Sequence, residues 1–307
     1  MRRTLPIATT TILALSAVAA PAAAQDAGMD RIDMPAGWAP EGITTDGTTL
    51  YAGSLANGAI LTADPATGET AVLVDGAEGL VVAGIEYDDY GRLWAAGATG
   101  TEVRVYDAQS GELLATYPFE GGFLNDVAAT ADAVYITDSF VPQVAVVPLG
   151  EDGALPEAGE ATTLPISGDL EYGEDFNANG IVATPAGLVI VHSALGQLYR
   201  VDPATGESSL IETGDVELTA GDGLELDGST LHVVRNRLNQ IVSLELDEAV
   251  TSATLIGEAT SDDFDVPTTV AQLGDDLWAV NARFGTDATP ETEYWMTRVD
   301  APQGMDG

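Results

Sequence analysis

The 307-residue chain contains no cysteine and no lysine, and it has only two histidines. Without cysteine there are no disulfides, thiolate metal ligands or nucleophilic thiols, so the fold must be held by its core alone. Two histidines cannot build a three-histidine zinc site. Basic residues are scarce throughout. Beyond residue 24, eight arginines face all 49 acidic residues, which leaves a net charge of −41 there. A field of that sign repels nucleic acid and anionic membrane surfaces, and neither is expected as a partner. It suits solubility in a salty medium, and it makes the position of each arginine informative.

After the first 24 residues no apolar run is long enough to span a membrane. The first 24 read as a cleavable signal peptide: Arg2 and Arg3, then the apolar "LPIATTTILALSAVAA", then Ala22-Ala23-Ala24 before Gln25. The expected mature protein is secreted or periplasmic, a monomer spanning 25–307 as one domain.

What the chain does have is repetition. "DPATGE" occurs at Asp64–Glu69 and again at Asp202–Glu207, with a degraded copy "DAQSGE" at Asp107–Glu112. Each copy follows a β-rich run. Upstream lie related runs ("TLYAGS", "RLWAAG", "AVYITDS", "GLVIVHS", "TLHVVRN", "DLWAVNA") and six openers ("EGITTD", "AGIEYD", "NDVAAT", "NGIVAT", "DGLELD", "PTTVAQ"). Anchored at Gly42, Gly84, Asp126, Gly180, Gly223 and Thr268, the repeats step by 42, 42, 54, 43 and 45 residues. Short strands separated by Gly-containing turns, four to each period of about 43 residues, are propeller blades. The expected fold is all-β: six four-stranded antiparallel blades. The sixth unit lacks a fourth strand, and Asp30–Pro35 is expected to supply it and close the ring.

In such blades the residue opening each innermost strand stands near the channel axis. In order these are Glu41, Ala83, Asn125, Asn179, Asp222 and Pro267. Two carboxylates and two amides at one height form an all-oxygen set suited to Ca²⁺ or another divalent cation. Asn-Gly and Asp-Gly are also ordinary turn dipeptides; the shared position favours the metal. Asn177 lies close enough to Asn179 for the two to exchange roles. Glu86 and Glu225, two residues further in, are candidates for weaker cation sites. Asp138, His192, Arg235 and Asn281 end second strands on the same face, and Arg237 and Arg283 follow in the next loops. The arginines fit either an anionic group on a small-molecule substrate or ion pairs with nearby acids. His192 fits a supporting or substrate-contacting role or mere exposure, whereas His232 occupies a slot filled elsewhere by Tyr51, Trp94, Tyr135 and Trp278 and reads as packing. "SGDLEYGEDFNANG", inserted before blade four, is expected to overlie the mouth.

The motifs "PEGI", "FLND", "NANGI" and "GDGL", in this order across the whole mature length, resemble the senescence marker protein/gluconolactonase (regucalcin-like) propellers. More distantly they resemble diisopropylfluorophosphatases, paraoxonases and strictosidine synthases. The resemblance implies Glu41, Asn179 and Asp222 as Ca²⁺ ligands, with Asn125 a further ligand or a substrate-facing amide. It implies Asp222 as general base or nucleophile in lactone or ester hydrolysis. Where gluconolactonase-like members carry a substrate-holding arginine, this chain has Phe123, which departs from a gluconolactone-type site and implies a more apolar pocket. A non-catalytic propeller binding a ligand or protein around a structural ion is the alternative, and isomerase or synthase chemistry at the same ion is a third.

Overall fold

The computed structural model describes residues 29–302. They form six sheets arranged as a six-bladed β-propeller, each blade a four-stranded antiparallel meander. The inner strands are Pro40–Thr45, Ile85–Tyr87, Leu124–Ala129, Ala178–Thr184, Gly221–Asp227 and Pro267–Leu273. All six match the sequence-based openers. Among the described residues no helix is long and apolar enough to cross a membrane. The expected signal peptide lies outside the described residues.

Ring closure follows the expected plan. Arg31–Asp33 pairs antiparallel with Trp295–Asp300, Ile32 facing Met296, and completes the sixth sheet. Ile32 is buried in the cluster formed by Trp38, Trp278, Tyr294 and Met296. Outside it, Arg298 bonds Asp30 at 2.6 Å. The remaining blades pack in the same manner, alternate side chains of facing sheets interleaving into apolar layers.

The DPATGE turns join third to fourth strands. Asp64 accepts hydrogen bonds from the backbone N–H groups of Ala66 and Thr67. The Gly68 N–H returns to the Asp64 carbonyl, and Gly68 adopts φ +73°. A side chain there would be strained. The conserved spelling of the two copies is therefore local turn chemistry.

The extra length before blade four is an anchored excursion. Ser167–Gly168 runs parallel to the outer strand Glu207–Ile211 as a fifth strand. Leu170 is buried, the Tyr172 hydroxyl donates to the Asp138 carbonyl, and the Asp169 carboxylate accepts from Leu210 N–H.

Candidate functional site

Five of the six inner strands break their ladder at the same place, between Pro40 and Ile43, Leu124 and Val127, Ala178 and Ile181, Gly221 and Leu224, and Pro267 and Val270. Such an irregularity re-aims a side chain. Here it turns the residue after the last paired one toward the axis: Glu41, Asn125, Asn179, Asp222 and, in blade six, Thr268. The sequence register was one residue short in that blade. Thr268, not Pro267, holds the slot, and its hydroxyl donates to the Glu41 carbonyl. The next residue is where neighbouring inner strands approach most closely. A Cβ on Gly180 would overlap the Asp222 carbonyl oxygen, which is why this position is glycine in most blades.

Glu41, Asn125, Asn179 and Asp222 line one cavity of about 550 Å³ at the mouth of the channel. Three of them are held by the residue fourteen positions later in the same blade. Asn125 Nδ2 donates to Ser139 Oγ at 2.9 Å, Asn179 Nδ2 to Ser193 Oγ at 2.9 Å, and Asn236 Nδ2 to Asp222 Oδ2 at 2.6 Å. Each serine spends its own proton on a backbone carbonyl, Ala178 or Gly221. It must therefore accept from the amide nitrogen, which fixes the amide orientation. Both Oδ1 atoms are left without a donor among the described residues. Asn179 Nδ2 also donates to Asp222 Oδ1 at 2.7 Å. In blade one the fourteenth residue is Leu55, which lines the same cavity. The Glu41 carboxylate, on a residue only 7% exposed, accordingly accepts no hydrogen bond from a described residue.

Electrostatics follow from this burial. Glu41 is pushed well above the usual carboxylate range, by burial first and then by Asp222 and Asp126. Burial raises Asp222 to about 6, against the hydrogen bonds from Asn236 and Asn179 and the nearby Arg237. The donor set fits a hard cation: two carboxylates and two oriented amide oxygens, all oxygen, with room for water or substrate. Among the described residues no three acidic, histidine or cysteine side chains form a metal cluster, so a cation here would depend on the amides.

The other expected substrate contacts divide. Phe123 and Arg237 line the cavity, with Phe176, Phe284, Leu55 and Asn236. Asp138, His192, Arg235, Asn281 and Arg283 do not. The first four end their second strands opposite the residue preceding the axial one, and strand alternation sends their side chains away from the channel. Asp138 Oδ1 accepts from the N–H groups of Phe123, Phe140 and Val141. His192 lies between the Glu171 carbonyl and the Leu195 N–H, and burial lowers its pKa. Arg235 bonds Thr219 and Gln240. Asn281 bonds Asp265 N–H, the Trp295 carbonyl and Thr297. Arg283 pairs with Asp265 at 2.7 Å and lies over the Trp295 ring.

Arg237, the one basic side chain lining the cavity, has no carboxylate within ion-pair distance among the described residues; it donates to the Phe284 carbonyl. Asn177 is consumed by backbone bonds, donating to the Asp175 carbonyl in its own loop and the Ser139 carbonyl of the preceding blade and accepting from Gly173 N–H. The cavity-facing amide is that of Asn179. His232 is held between Ser243 and Gln272 inside the fold. Asn236 was not singled out from the sequence. Its signal was its spacing of fourteen from Asp222, matching Ser139 and Ser193.

Deeper in the channel a smaller cavity of about 170 Å³ is walled in part by Glu86, Asp126 and Glu225. Glu86 accepts from the Thr44 hydroxyl, Glu225 from Gln272 N–H, and Asp126 from Val127 and Ile181 N–H. Burial is the main cause lifting all three, Asp126 to about 7 and Glu225 to about 8.

No family model matches the chain, and no curated protein sequence matches it. Its likenesses are to solved structures. The major allergen Mala s 1 of Malassezia sympodialis superposes with a TM-score of 0.69 at 16% identity, over 89% of this chain and 96% of the allergen. A chain of a nidogen/laminin complex gives 0.58 at 13% identity, over 81% and 89%. A catalytically inactive virginiamycin B lyase from Staphylococcus aureus, solved with quinupristin, gives 0.55 at 13% identity, over 88% and 99%. At these identities the likeness is one of fold, and it supports the six-bladed propeller without selecting an activity.

Proposed function

We propose that the protein is an exported, Ca²⁺-dependent hydrolase of lactones or related esters, acting in the cavity at the channel mouth. The observation that carries this reading is the repeated fourteen-residue pairing. It orients the amide oxygens of Asn125 and Asn179 and the carboxylate of Asp222 from three successive blades, and leaves Glu41 unpartnered beside them. Purely structural polar residues would be mutually satisfied.

Glu41, Asn125, Asn179 and Asp222 would hold the cation. When bound, Ca²⁺ supplies a Lewis acid that polarises the scissile carbonyl. Asp222 is gripped at Oδ1 by Asn179 and at Oδ2 by Asn236, which leaves each oxygen a lone pair. That free lone pair places the Asp222 carboxylate to take a proton from an attacking water. Arg237 stands at the cavity wall where an anionic group on substrate or product would meet it. Phe123, Phe176, Leu55 and Phe284 exclude competing water.

The test is hydrolysis of a panel of lactones and aryl esters with calcium or with chelator. Calcium-dependent turnover that falls by about 10²–10⁴ in Asp222→Asn, with an unchanged circular dichroism spectrum, supports the enzyme. Absence of turnover across the panel, with calcium still raising the melting temperature, favours the alternative, a ligand-binding propeller around a structural ion. The largely apolar wall of the cavity is the feature that favours that second reading.

A further inference from the structure

Two of the bulkiest exposed apolar side chains stand together at the cavity mouth. Phe140 is 47% and Phe176 41% exposed. They meet each other with ring centroids 4.9 Å apart, and both meet Phe123, Phe140 at 6.0 Å and Phe176 at 5.4 Å. Phe123 and Phe176 line the cavity whose floor carries the oriented oxygens.

The cluster is held by buried polar groups. One carboxylate oxygen of fully buried Asp138 fixes the backbones of Phe123, Phe140 and Val141. The loop that delivers Phe176 is tied to the same place: the Tyr172 hydroxyl donates to the Asp138 carbonyl, and Asn177 Nδ2 to the Ser139 carbonyl. Three rings from three separate loops are thus gathered at the surface, where folding alone gains little from them. Opposite, Leu55 and Phe284 complete an apolar wall.

We infer that Phe123, Phe140 and Phe176 form the subsite for an alkyl substituent of the substrate, the polar head of which reaches Glu41, Asn125, Asn179 and Asp222. The substrate class is therefore an alkyl-bearing lactone or ester. This rests on the cavity being the site proposed above. The occupant is a small-molecule chain, because Phe123 and Phe176 line the same cavity as the oriented oxygens, and Phe140 packs on both rings.

The experiment measures binding and turnover separately. Titration calorimetry of the uncharged n-alkanols from hexanol to decanol, in chelator, reads the subsite without chemistry. Affinity should rise about three- to fourfold per methylene in the wild type. Phe140→Ala/Phe176→Ala should flatten this to less than about 1.5-fold, and its melting temperature checks the fold. Should that double variant unfold, Phe176→Ser alone, at an exposed position, carries the same test. The kcat/KM values for γ-lactones of increasing chain length should follow the same slopes. A slope lost in the variant without turnover of any lactone would uphold the subsite while removing the hydrolase reading. Turnover indifferent to chain length, or a slope unaltered in the variant, would overturn the subsite and leave the hydrolase standing. Sedimentation of wild type but not variant with phosphatidylcholine vesicles, with no alkanol binding, would make the rings a membrane contact and overturn the proposal.

Discussion

Replacing Glu41 by Gln should change the sign of its effect on stability with calcium. The Glu41 carboxylate is buried, accepts no hydrogen bond from a described residue, and lies in the field of Asp222 and Asp126. In chelator at pH 7.5 an ionised group there costs stability. A neutral amide of the same shape should recover about 1–2 kcal/mol, or roughly 2–8 °C of melting temperature at about 2–4 °C per kcal/mol. Calcium at a hundredfold excess over its dissociation constant should stabilise the wild type by about 2.7 kcal/mol, roughly 5–10 °C. The variant, lacking one of the two proposed carboxylate ligands, should gain little. Scanning calorimetry across a calcium titration should therefore show the two melting temperatures crossing. Because the chain carries a net charge of −39, any salt will stabilise it somewhat, and magnesium and potassium at matched ionic strength are the controls. An equal calcium response in both proteins, or a variant less stable than wild type in chelator, would refute the reasoning that Glu41 awaits a cation.

Ile32→Ala empties a fully buried position in the closing strand; it should cost about 2–5 kcal/mol, and a melting temperature within about 2 °C of wild type would show that this strand does not hold the ring. Glu225 has its pKa raised to about 8, chiefly by burial, with Asp126 and Asp227 adding. Its contribution is therefore intact below its unfolded value and lost as pH rises through about 8. Glu225→Gln should match wild type near pH 4.5 and exceed it by about 1–2 kcal/mol at pH 8 after allowance for screening, as read from urea melts at both pH values. Arg237→Gln should raise the Michaelis constant for anionic substrates about 5–20-fold and leave neutral ones unchanged. Arg235→Gln should instead lower the melting temperature with little kinetic effect, since Arg235 bonds Thr219 and Gln240 and does not line the cavity.

The fold was legible because its determinants are local. Alternating strands, Gly turns and the DPATGE spelling recur at one period, and strand pairing between neighbours along the chain follows directly. The axial set Glu41, Asn125, Asn179 and Asp222 was legible for the same reason, since equivalent positions in a ring share a height. Asp138 and Asn281 were not. They stand one residue before the position whose equivalents Leu55, Ser193 and Asn236 line the cavity, and only the backbone they bond shows which way they point. Thr268 was misplaced by one because Pro267 opens a strand without an Asn-Gly or Asp-Gly marker to set the register. Arg235, Arg237 and Arg283 look equivalent in sequence, yet Thr219, Gln240 and Asp265 claim two of them through contacts the sequence does not display.

The shared sixth blade has a consequence for engineering. Because Arg31–Asp33 lies beside Trp295–Asp300, the two ends of the described chain are neighbours. A short linker would turn the molecule into a topological circle, which could then be reopened elsewhere. The turns at Asp64–Glu69 and Asp202–Glu207 are natural places for the new cut. They are exposed for most of their length and lie on the face opposite the cavity, where loop tips tolerate new termini. A permuted chain opened there would begin and end within one continuous blade, and any purification tag would hang well clear of the mouth.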